Sequence, residues 1–219
     1  MKSFIFAAIS ALALSASTAT AQDSTDAPAE GATGCELHVW PADAVRSTYS
    51  GWFHGGIVDG AVQGRDGYKK LPDSILSPEG QLRTLGEQDL PGLLNLPGYI
   101  VVLHDQPLPS RVIRATKGRL LTDSPSCYAE LVTDDVFYQE DIISGRFLKA
   151  IFRFRQFDGG SDAPTRSFGT YMQQRLVQFP PAEPEQLDGA LEEFRLAYGL
   201  AAREFGEALN RPPKKKKKN

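Results

Sequence analysis

The sequence has none of the short motifs that carry catalysis in well-known enzyme classes. It contains no G-x-S-x-G nucleophile elbow, no Walker A loop, no H-E-x-x-H zinc motif and no C-x-x-C pair. Its three histidines, His38, His54 and His104, are not placed at a metal-binding spacing from one another. From these absences we expect no metal and no cofactor, and we favour a protein that acts by binding over an enzyme.

The sequence also lacks an excess of positive charge. It has 24 Lys and Arg against 27 Asp and Glu, which gives a formal net charge of −3. Affinity for a phosphate backbone needs clustered positive charge, so we do not expect nucleic-acid binding. No apolar run reaches the length of about 20 residues that a membrane-spanning helix requires, so we expect no transmembrane segment once the N-terminus is removed.

The N-terminal residues have the layout of a secretory signal peptide. Lys2 is followed by an apolar run from Phe4 to about Leu14 and then by small residues that end in Ala19-Thr20-Ala21. We therefore predict a signal peptide over residues 1–21, and a periplasmic or secreted location. Residues 22–34 are small and polar, which predicts a flexible leader.

Only two cysteines are present, Cys35 and Cys127, and each begins an apolar segment. An oxidising compartment outside the cytoplasm favours pairing of two such thiols. The sequence therefore predicts a Cys35–Cys127 disulfide that joins the starts of two strands.

The C-terminal residues 211–219 form a polybasic tail after a Pro-Pro pair. The tail concentrates positive charge at the end of an otherwise acidic chain, which predicts disorder and suggests an electrostatic tether to an anionic membrane or an envelope polymer. Its five consecutive lysines are Lys214, Lys215, Lys216, Lys217 and Lys218.

Between leader and tail, residues 35–210 suffice for one domain with its own core. Short strands are predicted at Glu36–Trp40 and Tyr99–Asp105, and a helix is predicted to begin at the N-cap Ser77. Residues 168–177 read as a strand or a short helix, and the Gly-rich residues 50–67 predict turns. A long apolar stripe predicts a C-terminal helix, from Leu187 to Ala208. The resulting fold class is α+β, with a mostly antiparallel sheet and this helix packed on one face.

The segment Arg146–Phe157, RFLKAIFRFRQF, combines cations with aromatic residues. Strand alternation places an apolar set on one face, and the cations together with Phe147, Ile151 and Phe157 on the other. The preceding segment, which begins at Cys127, is rich in acidic residues. We therefore predict a charge-matched antiparallel hairpin whose second face is half solvated. The apolar set is Leu148, Ala150, Phe152 and Phe154, followed by Gln156.

Two weaker patterns leave other functions open. His104 and Asp105 follow a predicted buried strand, and strand ends often carry catalytic groups, so these two residues are the best candidates for acid–base chemistry in a small periplasmic hydrolase. Alternatively, Trp40 and Trp52 could line the groove of a sugar- or peptide-binding module.

The order of these elements resembles that of small α/β envelope modules. The segments CELHVWPA and YIVVLHD, the long hairpin that begins at Cys127 and the closing helix occur in an order similar to that of the TolB N-terminal domain and the curli-secretion lipoprotein. The chain also resembles uncharacterised exported proteins of Gram-negative bacteria. This resemblance implies a non-catalytic envelope adaptor whose partner is another envelope protein. The Gly-rich residues 50–67 depart from the pattern, as does Cys35, which lacks the position of a lipidated cysteine.

Overall fold

The protein is described here by a computed structural model, which covers residues 34–50, 75–141 and 143–212, with residues 48–50 as backbone only. All of these residues belong to one compact unit. The predicted signal peptide, most of the leader, the Gly-rich residues 51–67, His54, Trp52 and the lysines of the tail lie outside the described residues.

Six strands within the described residues form one mixed sheet with the order β3-β1-β4-β5-β6. The short strand β2 pairs with the C-terminal half of β4, along the same edge of β4 whose N-terminal half pairs with β1. The strands are β1 Cys35–Trp40, β2 Arg46–Ser50, β3 Tyr99–Leu103, β4 Tyr128–Asp141, β5 Gly145–Phe157 and β6 Arg166–Leu176.

The long pairings of the sheet, β4 with β5 and β5 with β6, are antiparallel, while the short pairings of β1 with β3, β1 with β4 and β2 with β4 are parallel. The prediction of an α+β fold with its C-terminal helix on the sheet is confirmed. Sequence patterns did not identify the parallel pairs, because parallel neighbours are set by crossover connections rather than by local turns. Residues 168–177, which read as strand or helix, belong to strand β6 as far as Leu176.

In the described part of the chain, four α-helices accompany the sheet: α1 Pro78–Gly86, α2 Leu90–Leu94, α3 Ser110–Ala115 and α4 Leu187–Leu209. Helix α1 begins as predicted, because the Ser77 hydroxyl accepts a hydrogen bond from the Gly80 amide and Pro78 occupies the first turn. None of the described helices is both long and apolar enough to cross a membrane.

Helices α1, α2 and α4 cover one face of the sheet, where the main core forms. The predicted apolar set of β5, Leu148, Ala150, Phe152 and Phe154, is fully buried there. Between Thr133 and Asp135 a register shift places one extra residue in β4, so that both halves of this long strand direct apolar side chains to the same core.

On the opposite face of the sheet, the described residues cover one half only. Helix α3 and the following loop pack a small cluster of Trp40, Ile113 and Val132 against β1 and β4. The prediction of a half-solvated charged face is therefore wrong in this half: the Glu130 carboxylate and the Arg155 guanidinium pair at 2.5 Å with side chains that are 1% and 14% exposed. Phe157, predicted on the same solvated face, is also buried.

Candidate functional site

His104 follows directly on β3 and packs flat against Trp40, with ring centroids 4.2 Å apart and planes 3° from parallel. Its backbone amide donates a hydrogen bond to the Val39 carbonyl at 2.9 Å. The parallel register between β1 and β3 sets this position, because His38 lies opposite Val102 and Val39 opposite Leu103.

The side chains of Glu36, His38 and His104 form a hydrogen-bonded chain. The His38 Nδ1 atom lies 2.8 Å from the His104 Nε2 atom, and the His38 Nε2 atom lies 2.9 Å from a Glu36 carboxylate oxygen. Since a carboxylate only accepts, we assign the His38 proton to Nε2, which leaves Nδ1 to accept from His104 Nε2–H. Burial lowers the pKa of His104, the neighbouring His38 lowers it further, and Asp105 acts in the opposite sense.

Of the two predicted acid–base residues, the structure thus brings His104 together with His38 and Glu36, whereas Asp105 is exposed. Sequence reasoning missed Glu36 and His38. The available signal was their alternation on one face of β1, where Glu36, His38 and Trp40 stand two residues apart. Among the described residues no cluster of three or more side chains is arranged to hold a metal ion.

Trp40 is 3% exposed and packs with Ile113 and Val132, so its ring offers no free face to a sugar. The other aromatic candidate for a sugar groove, Trp52, lies outside the described residues. The disulfide is confirmed: Cys35 and Cys127 are bonded with their Cα atoms 4.6 Å apart, at the adjacent starts of β1 and β4.

On the sheet face opposite helices α1, α2 and α4, the half that the described residues leave uncovered is formed by the C-terminal ends of β4 and β6 and the N-terminal end of β5. Phe147 and Ile151 are half-buried there, and Tyr171 is 59% exposed. The Lys149 ammonium lies 5.5 Å from the centroid of the Tyr171 ring. The cationic and aromatic character of the Arg146–Phe157 segment therefore reaches the surface in this half.

Strand β6 is an edge of the sheet, since it pairs only with β5 in the part of the chain that the structure describes. In an antiparallel edge strand every second residue directs its N–H and C=O groups outward, where another strand can pair with them. Eleven residues, Arg166–Leu176, form this edge.

A groove of about 460 Å³ lies between β6 and α4. Its apolar wall comes from Leu196 and Leu200, which are 56% and 47% exposed, together with the buried Ala197. Leu196 and Leu200 are four residues apart, so they form a line of their own beside the helix stripe that faces the core. The opposite wall comes from β6 at Gln174 and Arg175: the Gln174 side chain faces the helix, and that of Arg175, as the next residue in the strand, faces the open side of the sheet.

Glu193 fixes the backbone at one end of this groove. Its carboxylate accepts hydrogen bonds from the amides of Val177, Gln178 and Phe179, at 2.7, 2.8 and 2.9 Å. The chain leaving β6 is thereby held against α4. The neighbouring Glu192 pairs with Arg195 at 2.7 Å, so both acidic side chains beside the groove already have partners.

No protein-family model matches the chain, and no curated protein matches it in sequence. Among solved structures the chain is similar to protein XCC0632 from Xanthomonas campestris, of family-model DUF330, with a TM-score of 0.42 and 9% identity over 80% of this chain and 83% of that one. It is also similar to the hypothetical protein CT253 from Chlamydia trachomatis, with a TM-score of 0.38 and 10% identity over 80% of this chain and 95% of that one.

These structural neighbours are uncharacterised proteins of Gram-negative bacteria. The more specific resemblance to the TolB N-terminal domain and the curli-secretion lipoprotein stays a prediction. Likenesses at this level carry no functional argument, and the function proposed below rests on the site.

Proposed function

We propose that this protein is an exported, non-enzymatic binding module of the cell envelope, and that it captures an extended segment of a partner protein in the groove between β6 and α4. The observation that carries the proposal is the juxtaposition of the β6 edge, which has no partner strand among the described residues, with an exposed apolar helix line, Leu196 and Leu200. Strand addition to a sheet edge provides main-chain hydrogen bonds, and an adjoining pocket accepts alternate side chains of the added strand.

Export is supported by the signal-like residues 1–21 and by the Cys35–Cys127 bond, since disulfides persist in oxidising compartments. The polybasic residues Lys214–Lys218 would then act as a tether to an anionic surface. Deleting residues 211–219 is expected to reduce sedimentation of the mature protein with phosphatidylglycerol vesicles at low salt, and equal sedimentation would remove this part of the proposal.

The groove is tested by selecting binders to the immobilised mature protein from a random peptide library. Selected peptides are expected to protect the backbone amides of β6 from hydrogen exchange and to lose binding to a Leu196→Glu, Leu200→Glu variant. Ile100→Glu, on the exposed edge strand β3, is the matched control and should leave binding unchanged. Peptides that protect β3 instead, or a library that yields no specific binder, would contradict the proposal.

One observation favours the alternative of a small hydrolase: the hydrogen bond between His38 and His104. The Glu36 carboxylate orients His38 by a hydrogen bond, and His38 in turn orients His104, as a carboxylate does in a catalytic relay. An ester-hydrolysis screen of the mature protein, with His104→Gln as the control, tests this alternative. Turnover that disappears in the variant would replace the binding proposal with an enzymatic one.

A further inference from the structure

We infer that the segment bound in the groove alternates apolar with acidic side chains, and that Arg175 selects the acidic ones. This inference rests on the proposed function, because it concerns the occupant of the same groove. It follows from the geometry of a strand added beside β6, whose side chains must point in turn to the two faces of the sheet.

On the helix-covered face, every second side chain of an added strand would lie over the groove wall. That wall consists of Leu196, Ala197 and Leu200 from α4, beside Gln174 from β6. The charges next to it are engaged, since Glu193 accepts from three backbone amides and Glu192 pairs with Arg195. Apolar side chains therefore fit the positions that face the helix.

On the open face, the remaining side chains of the added strand would lie beside Tyr171, Gln173 and Arg175. All three are exposed, and they succeed one another along the same side of β6. The Arg175 guanidinium lies over β5 toward Gly145 and has no ion-pair partner among the described residues, so it can turn to the outer edge of β6 without breaking an ion pair. Lys149 adds a second positive charge over the Tyr171 ring.

Positive charge is thus concentrated at the open-face side of the β6 edge, whereas the helix layer on the other face is acidic. Helix α4 carries five acidic and two basic side chains. Charges of opposite sign directly across a strand pair stabilise the pairing, and like charges oppose it. An acidic side chain opposite Arg175 therefore meets complementary charge, and a basic one meets repulsion.

The probes are three fluorescein-labelled decapeptides in which valine alternates with glutamate, with glutamine or with lysine. Fluorescence anisotropy measures their binding to the mature protein at about 50 and about 300 mM NaCl, between which screening by salt increases markedly. We expect the glutamate peptide to bind about tenfold more tightly than the glutamine peptide, and to weaken severalfold at the higher salt. The lysine peptide is expected to bind least.

Substitutions at Arg175 distinguish the effect of its charge on binding from an effect on the fold. Arg175→Glu is expected to weaken the glutamate peptide by about tenfold and to strengthen the lysine peptide, while Arg175→Lys keeps the preference. Arg203→Glu changes the net charge equally on an exposed part of α4 outside the groove lining and should leave all three affinities unchanged.

Equal affinity for the glutamate and glutamine peptides, unaffected by Arg175→Glu, would overturn the acidic preference while leaving strand capture intact. If none of the three decapeptides binds although library peptides still protect β6, the alternating pattern is wrong and the proposed function stands. If library peptides fail as well, the proposed function falls with it. Binding of phosphatidylglycerol vesicles that depends on Arg175, without peptide binding, would reassign this surface to a membrane and overturn the inference.

Discussion

The Nε2 atom of His104 lies 2.8 Å from the Nδ1 atom of His38, so side chains as well as the parallel backbone ladder join the end of β3 to the middle of β1. Both rings pack against Trp40, and His38 also lies near Tyr128 of β4. Together these contacts form a cross-link between β1, β3 and β4, and the strength of the hydrogen bond in it depends on which ring nitrogens carry protons.

Acidification is expected to weaken this cross-link. The folded pKa of His104 is lowered by burial and by His38, so below about 6.5 the unfolded chain binds a proton that the folded chain does not. The stabilisation is fully present above about pH 6.5 and is lost as the pH falls toward the folded pKa. Urea unfolding from pH 7.5 to pH 5.5 measures it, and His104→Gln should flatten that dependence. An unchanged slope in the variant would show that His104 contributes nothing to it.

Gly206→Ala is expected to destabilise the protein, although alanine favours helices by about 1 kcal/mol. A Cβ atom at Gly206 would lie 2.7 Å from the Leu93 carbonyl oxygen, which is backbone and cannot rotate away. Overpacking of this kind costs about 1–3 kcal/mol. Gly189→Ala is the matched control in the same helix: its nearest neighbour is the flexible Gln178 side chain at 3.0 Å. We expect the control to be neutral or stabilising in urea denaturation, and equal effects of the two variants would contradict this reasoning.

Replacing Glu193 by Gln is expected to loosen the chain beyond β6. The carboxylate accepts from three backbone amides, and the amide NH₂ of Gln would oppose those donors. The free energy of unfolding should fall by about 1–3 kcal/mol, and hydrogen exchange at residues 177–179 should accelerate. Glu192→Gln, which removes an exposed pair with Arg195, should change stability by less than about 1 kcal/mol. If Glu192→Gln proved as costly as Glu193→Gln, the special role of Glu193 would be refuted.

Removal of the disulfide by Cys35→Ser and Cys127→Ser should lower the free energy of unfolding by about 4–5 kcal/mol, because the bond closes a long loop in the unfolded chain. The two cysteines are 92 residues apart. Chemical denaturation of the variant and of the oxidised wild-type chain measures the difference. Reduced wild-type protein is the control and should unfold at the same denaturant concentration as the variant. If the curves of the variant and of the reduced protein coincide with that of the oxidised protein, the loop-entropy argument is wrong.

The parts of the fold that sequence patterns predicted are those governed by local chemistry. Ser77 and Pro78 mark the start of α1 because a hydroxyl cap and a fixed φ act within one turn. The β4–β5 hairpin was recognised because Gly145 and two alternating segments lie close together in the chain. Among the candidate residues, His104 was singled out from its place after a strand, whereas its hydrogen-bond partner His38 is 66 residues away, and the alternation along β1 does not show which side chain His38 meets.

By itself, the sequence determined the α+β class, the long closing helix, the apolar face of β5 and the pair of cysteines available for a disulfide, since period, capping and composition act over a few residues. Only the tertiary structure decided which half of the charged sheet face is buried, because α3 and its loop cover Glu130 and Arg155 but leave Tyr171 and Arg175 open. It also decided that Leu196 and Leu200 stand beside β6, whose outer edge has no partner strand in the described part of the chain. That relation depends on how α4 crosses β6, and no local pattern encodes the packing of two elements against each other.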